Sequence, residues 1–210
     1  MIPFHPKDKE LFDMYPSLIM ETLQKLHFKD INATISFFGP MLYFIVRALW
    51  CEKILELGHA EGYSAFYLAN AIKDNATRYN TNNMYYGIDI VKTEYVRENL
   101  SKYDLPFKLL NMDSINLTKD TFKDVTFDLI FQDGCHDTEH ILHELDVLYP
   151  QLKSDGKGFW ISHDFGENAP AQDAYKEVKK LINKGVYNFE YVLIPEVYGI
   201  CLMRKRKENE

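Results

Sequence analysis

Apolar positions along the chain fall into two regimes that meet near Trp50. Before it the spacing is helical: Leu11, Met14, Tyr15, Leu18, Ile19, Leu23 and Leu26 recur on one face between Lys9 and Phe28. Pro16 interrupts that stripe, and an interior proline removes a helix hydrogen bond, so two short helices are expected there. A further helix is expected after Pro40, with Leu42, Ile45, Val46 and Leu49 on its apolar face. These segments make a helical extension over residues 1–50, ahead of a core spanning 51–204 within one domain.

After Trp50 short apolar runs alternate with helical ones. Strands are expected at Lys53–Leu57, Met84–Ile88, Phe107–Asn111, Phe127–Phe131 and Gly158–Ser162. Helices are expected at Tyr63–Lys73, Lys92–Lys102, Thr138–Leu152 and Pro170–Asn183, the last opening on a proline where the missing N–H costs nothing. Nearly continuous apolar strands separated by helices point to a parallel sheet covered on both faces. Two more strands, Phe189–Ile194 and Gly199–Arg204, are joined across Pro195-Glu196-Val197-Tyr198. So short a link makes a direct pair antiparallel, because a parallel pair needs a long crossover. The fold class is therefore a doubly wound α/β sheet of seven strands, mostly parallel and ending in an antiparallel hairpin.

Bulk properties narrow the setting. A chain of 210 residues suits one domain. The formal charge of −7 argues against a general affinity for nucleic acid. The basic run Arg204-Lys205-Arg206-Lys207 is short, is followed by Glu208 and Glu210, and reads as a solvated, frayed terminus. Cys51, Cys135 and Cys201 are far apart and odd in number, which is no disulfide framework. The longest apolar run, Phe37 to Trp50, is shorter than the roughly 20 residues a bilayer requires and reads as a buried helix. A cytoplasmic protein without a membrane partner is expected.

Candidate chemistry begins at the turn Glu56-Leu57-Gly58-His59-Ala60-Glu61-Gly62. It follows the first strand, at the carboxyl edge where doubly wound sheets bind ligands, and its glycines permit close approach of a ligand to backbone. A dinucleotide site wants G-x-G-x-x-G, and counting from Gly58 the later glycines are replaced by Ala60 and Tyr63. Glu56 and Glu61 would set negative charge against a pyrophosphate. They suit S-adenosylmethionine, which carries a sulfonium and an ammonium and no phosphate. An ordinary strand-to-helix turn is the competing explanation. Asp89, ending the second strand, can accept from both ribose hydroxyls or cap the helix near Lys92. Asp113 and Ser114, ending the third, can contact adenine or simply form a turn.

The stretch Glu56-Leu57-Gly58 … Gly62-Tyr63-Ser64-Ala65 resembles the glycine-rich motif of class I O-methyltransferases, including the catechol O-methyltransferase type. In that family an E-[LI]-G-x-x-x-G-Y-S stretch wraps the methionine part of the cofactor. The resemblance implies Glu56, Gly58, Gly62 and Ser64 around the methionine part; with Asp89, Asp113, Ser114 and Asp133 from the other strand ends they make up the expected cofactor-binding residues.

The fourth and fifth strands end in Asp133-Gly134-Cys135-His136 and His163-Asp164. Adjacent parallel strands would bring these ends together. Such groups suit methyl transfer to a hydroxyl: a divalent cation lowers the pKa of the acceptor oxygen, and a histidine takes its proton. Helix capping and satisfaction of buried backbone are the alternative roles. The segment also resembles the family containing macrocin and mycinamicin O-methyltransferases. That resemblance implies Asp133 and Asp164 as magnesium ligands and His136 as the base. His163 stands where that family generally has an acid; it is kept among the candidate metal ligands, and an imidazole there leans away from magnesium toward manganese, iron or zinc. His140 and His143 share a helical face with His136, but a purely helical histidine set lacks the pattern of structural zinc.

The expected function is methyl transfer from S-adenosylmethionine to a hydroxyl of a small molecule, a sugar or a phenol. The partner is that acceptor and not nucleic acid, and a homodimer stays open. The alternatives are other metal-dependent chemistry on the same fold, as in related hydroxylases, and a non-catalytic cofactor-binding module.

Overall fold

The computed structural model describes residues 35–79, 81–91, 93–194 and 199–207. The two helices expected between Lys9 and Phe28, Lys92 and the connection 195–198 lie outside the described residues. Seven strands form one sheet: β1 (Lys53–Leu57), β2 (Met84–Asp89), β3 (Phe107–Asn111), β4 (Leu129–Gln132), β5 (Gly158–His163), β6 (Phe189–Ile194) and β7 (Ile200–Lys205). Their order is β3-β2-β1-β4-β5-β7-β6. The strands from β1 to β5 run parallel, and β7 is antiparallel to both β5 and β6.

The helices are α1 (Ile35–Leu49), α2 (Tyr63–Tyr79), α3 (Glu94–Lys102), α4 (Thr138–Leu148) and α5 (Gln172–Asn183). Side chains alternate along a strand, so one strand feeds two cores. Ile54, Leu129, Phe131 and Ile161 pack with α1, α2 and α3 through Leu42, Val46, Leu68, Ile72 and Val96. Leu55, Leu57, Ile130 and Trp160 pack on the other face with α4 and α5 through Ile141, Leu145, Leu148 and Val178. Burial on both faces is why the central strands read as continuous apolar runs. No helix among the described residues is long and apolar enough to cross a membrane.

Several boundaries differ from the sequence expectation, among them the end of α2, which runs on to Tyr79. Helix α1 starts before Pro40 and contains it. An interior proline costs about 3 kcal/mol. Phe38, Leu42 and Val46 on one face of α1 are buried, each contributing roughly 1.5–3 kcal/mol, which outweighs that cost. Pro170 does not open α5, which begins at Gln172; Ala171 N instead donates to the Asp164 carbonyl at 3.0 Å. Helix α4 ends at Leu148, and Tyr149–Gln151, with Pro150 inside, form a 3₁₀ turn. Phe127 lies outside β4 and makes an isolated bridge to Leu152.

The basic run 204–207 is also not a frayed tail. Arg204 and Lys205 belong to β7, inserted between β5 and β6. Arg204 pairs with Glu190, and Lys205 Nζ donates to the carbonyls of Tyr149 and Leu152 at 2.9 and 3.0 Å.

Candidate functional site

The chain moves from β1 outward to β2 and β3, then returns to lay β4 on the other side of β1. That reversal opens a crevice beyond the carboxyl end of β1. The glycine turn lies in it. Gly58 has φ +88°, and a Cβ there would sit 2.3 Å from the Asp133 carbonyl oxygen. Gly62 also has φ +88°, with Val96 Cγ1 2.8 Å from where its Cβ would be. Both positions therefore need glycine for backbone and for space.

Glu56 is wholly buried beneath this turn. Ser64 Oγ and Tyr85 OH each donate to one of its carboxylate oxygens. Burial pushes its pKa up to about 8, against the lowering effect of those two donors and with help from the charges of Asp133 and Asp89. Asp89 accepts from Ala60 N at 2.7 Å and from Val91 N at 2.9 Å, so it ties the ends of β1 and β2 together. It does not cap α3, whose N-cap is Thr93. His59, 1% exposed, has Nδ1 3.1 Å from the Ala60 carbonyl, which can only accept; Nδ1 therefore carries the proton. Burial lowers its pKa.

Tyr85 and His59 were not among the expected site residues. A readable trace existed for the first: Tyr85 and Gly87 share a face of β2, and the missing side chain at 87 leaves room for the phenol. A Cβ on Gly87 would lie 2.8 Å from Tyr85 OH and 3.0 Å from His59 Cδ2.

A second group forms where β4 and β5 end side by side, Gln132 in register with Ser162. Gln132 Nε2 donates to the Cys135 carbonyl at 3.4 Å and so holds the following loop. His136 Nε2 lies 3.3 Å from Asp164 Oδ2. His163 Nδ1 lies 3.0 Å from Asp133 Oδ1 and 3.5 Å from Asp164 Oδ2. Burial works against charge on His163, but hydrogen bonds to the two carboxylates prevail and push its pKa up to about 10. The ring of Phe38 packs 4.9 Å from that imidazole, centre to centre. Asp164 adopts φ 54°, a left-handed conformation uncommon outside glycine and tolerated by aspartate, which turns its carboxylate back toward His136.

A divalent ion would find donors here. One ligand atom from each of Asp133, His136 and Asp164 lies within 4.8 Å of the others, and among the described residues these are the one such set. His136 Nε2 and Asp164 Oδ1 are buried without a hydrogen-bond partner among the described residues, as expected of donors kept for another use. Two carboxylates and an imidazole fit manganese, iron or zinc better than magnesium. His163, expected as a ligand, is a hydrogen-bond partner of Asp133 instead, and His136, expected as the base, takes its place in the donor set.

A third group occupies the turn after β3. Ser114 Oγ is 2.7 Å from His140 Nε2 and donates to Glu144 Oε1 at 2.5 Å. Glu144 is wholly buried, which pushes its pKa up to about 8 although Ser114 opposes the rise. Asp113 Oδ1 accepts from Ile115 N at 3.2 Å and lies 3.4 Å from His140 Nε2. His143 Nε2 donates to the Leu117 carbonyl at 3.0 Å. His136 lies in the loop before α4, outside the helix that carries His140 and His143, and the three histidines face separate partners and do not converge. His140 and Glu144 were readable only as an i, i+4 pair.

With the geometry in hand, comparisons place the chain. No functionally curated protein matches it significantly. The fold matches the S-adenosylhomocysteine-bound methyltransferase PaMTH1 of Podospora anserina, with TM-score 0.69, 19% identity and 98% of each chain covered. It also matches a Geobacter sulfurreducens methyltransferase, with TM-score 0.63, 17% identity and 99% and 100% covered. A third match is the Bacillus cereus O-methyltransferase in complex with S-adenosylhomocysteine, with TM-score 0.60, 17% identity and 98% and 93% covered. At such identities these matches speak to fold. The family model described as "Methyltransferase domain" matches residues 55–165, from the first strand to just beyond the Asp164 turn, and so contains all three groups. This protein belongs to the methyltransferase-domain family.

Proposed function

We propose that the protein transfers a methyl group from S-adenosylmethionine to a hydroxyl of a small molecule, with His136 as general base. The observation that carries the donor's identity is the pair of carboxylates, Asp89 and Asp133, set around the buried Glu56 carboxyl closely enough, on top of its burial, to raise its pKa. Such a set repels a pyrophosphate and attracts a ligand carrying ammonium and sulfonium charges. Gly58, Gly62, Ser64 and Glu56 would hold the methionine end, Asp89 the ribose, and Asp113 and Ser114 the base.

Bound adenosylmethionine supplies an electrophilic methyl group on sulfur and leaves as the neutral thioether. His136 accepts the proton of the acceptor hydroxyl while the new C–O bond forms, and Asp164 beside it stabilises the resulting imidazolium. His163 cannot serve as that base near neutral pH, because it already holds its proton. It balances charge between Asp133 and Asp164.

A second reading makes Asp133, His136 and Asp164 ligands of a divalent ion that would acidify the acceptor hydroxyl, motivated by their mutual proximity. Calorimetry separates the readings. Adenosylmethionine should bind wild type, and no binding would overturn the proposal. On an identified acceptor, His136→Ala should slow turnover about 10²–10⁴-fold while adenosylmethionine affinity is retained. If manganese binds wild type and is lost in both Asp133→Ala and Asp164→Ala, the second reading replaces the first.

A further inference from the structure

We propose that Tyr85 and His59 stabilise a proton on the buried Glu56 carboxyl, that an α-ammonium ligand entering the glycine turn drives this proton out, and that Tyr85 sets the pH of the exchange. The inference rests on the adenosylmethionine reading and adds to it a proton released by the binding step. Tyr85 lies outside the glycine turn, on β2, and His59 follows Gly58 within it.

All three side chains are buried, so protein groups alone answer their charges and hydrogen bonds. Titratable groups reach Glu56 from both neighbouring strands: β2 brings Tyr85 and Asp89, and the end of β4 brings Asp133. Helix α2 brings the neutral Ser64. Burial, the largest effect, and the two carboxylates oppose charge on Glu56, whereas the two hydroxyls favour it. The carboxyl therefore keeps its proton up to about pH 8.

A protonated Glu56 is itself a donor, and that changes what its partners must do. When the carboxylate is charged, Ser64 Oγ and Tyr85 OH both donate to it. With the proton in place, the hydroxyl that meets the carboxyl O–H must accept and turn its own hydrogen elsewhere. Tyr85 has a place to turn it. Its hydroxyl and the Cδ2 edge of His59 border the same space over Gly87, 2.8 and 3.0 Å from where a Cβ would stand. The ring atom next to Cδ2, Nε2, is buried without a hydrogen-bond partner among the described residues. Burial lowers the pKa of His59, and Nδ1 holds the ring's one proton against the Ala60 carbonyl, so Nε2 is an acceptor. A buried acceptor left unmet is costly, and the phenol hydrogen meets it in the protonated state. Burial and the neighbouring Glu56 push the Tyr85 pKa well up, so the phenol remains a donor in both states.

An ammonium group beside the carboxyl reverses the balance, because a nearby positive charge favours the carboxylate. The Glu56 O–H bond breaks, its electron pair stays on the carboxylate, and the proton leaves to solvent. Tyr85 then donates to Oε2 and the ammonium gains a buried countercharge.

The probe is S-adenosylhomocysteine, titrated calorimetrically at pH 7 in buffers of different ionisation enthalpy, which counts the protons released. A group titrating at about 8 is about nine-tenths protonated at pH 7, so wild type should release about 0.9 proton per ligand bound. Glu56→Gln should release none. Tyr85→Phe removes a donor that favours the carboxylate, so Glu56 should ionise about one pH unit higher. Its binding should be about tenfold weaker than wild type at pH 7 and within about threefold of it at pH 9. Loss of packing alone would weaken binding equally at both. His59→Leu removes the acceptor of the protonated state and should move the ionisation to lower pH. Failure of wild type to bind S-adenosylhomocysteine would overturn the proposed function itself. Binding without proton release, or with equal release by wild type and Glu56→Gln, would overturn this inference alone. An equal loss at both pH values in Tyr85→Phe would overturn the role of Tyr85, and an unmoved ionisation in His59→Leu that of His59.

Discussion

Replacing Glu56 with glutamine separates the stability of the fold from its affinity for a cationic ligand. In the folded protein the Glu56 carboxyl keeps its proton up to about pH 8, whereas the ordinary value is 4.5. Between those values the folded state binds more protons than the unfolded state, so stability falls as pH rises. The slope is about 1.4 kcal/mol per pH unit for one group, on the order of 5 kcal/mol over the full window. Glutamine keeps the shape and can still meet Ser64 and Tyr85, but it does not ionise. The measurement is urea unfolding of wild type and Glu56→Gln, without ligand, at pH 5.5, 6.5 and 7.5. Glu144 titrates in the same window in both proteins, so the difference between them isolates Glu56. That difference should grow in favour of the variant by about 1.4 kcal/mol per pH unit. A difference constant across the series would refute the reasoning. The same variant should bind adenosylmethionine about tenfold or more weakly at pH 8, because the buried countercharge for its ammonium is gone.

Two other perturbations test the site's construction. Gly58→Ala forces a Cβ to within 2.3 Å of the Asp133 carbonyl at φ +88°, and should destabilise the fold by about 2 kcal/mol or more in urea unfolding, with loss of cofactor binding. His163→Asn removes a positive charge 3.0 Å from Asp133, and should raise manganese affinity by roughly tenfold in calorimetry. Unchanged affinity would mean that His163 does not compete with a cation there.

The structure also gives a physical account of why the acidic residues could be retained so close together. Glu56 and Glu144 are held neutral near physiological pH by burial, Asp89 is engaged by two backbone N–H groups, and Asp133 and Asp164 share the imidazolium of His163. Each carboxyl has its own means of limiting repulsion. A cationic ligand would relieve what is left, which is the sense in which the site is prepared for one.

The sequence alone determined the sheet. Nearly continuous apolar strands separated by helical segments, the glycine turn and the short link between the last two strands led to seven strands and an antiparallel end, all found in the structure. These are local signals, written in neighbouring residues. Tertiary structure decided what local signals could not carry. Pro40 sits inside α1 because the buried face of that helix outweighs a lost hydrogen bond. Lys205 is buried because β7 is inserted between β5 and β6, an order no nearest-neighbour pattern specifies. The pairing of His163 with Asp133, of His136 with Asp164, and of Ser114 with Glu144 depends on side chains about 30 residues apart meeting at strand ends. The chain states which groups are present; the fold, by setting distances and removing water, decides which of them hold protons and which stand ready to accept one.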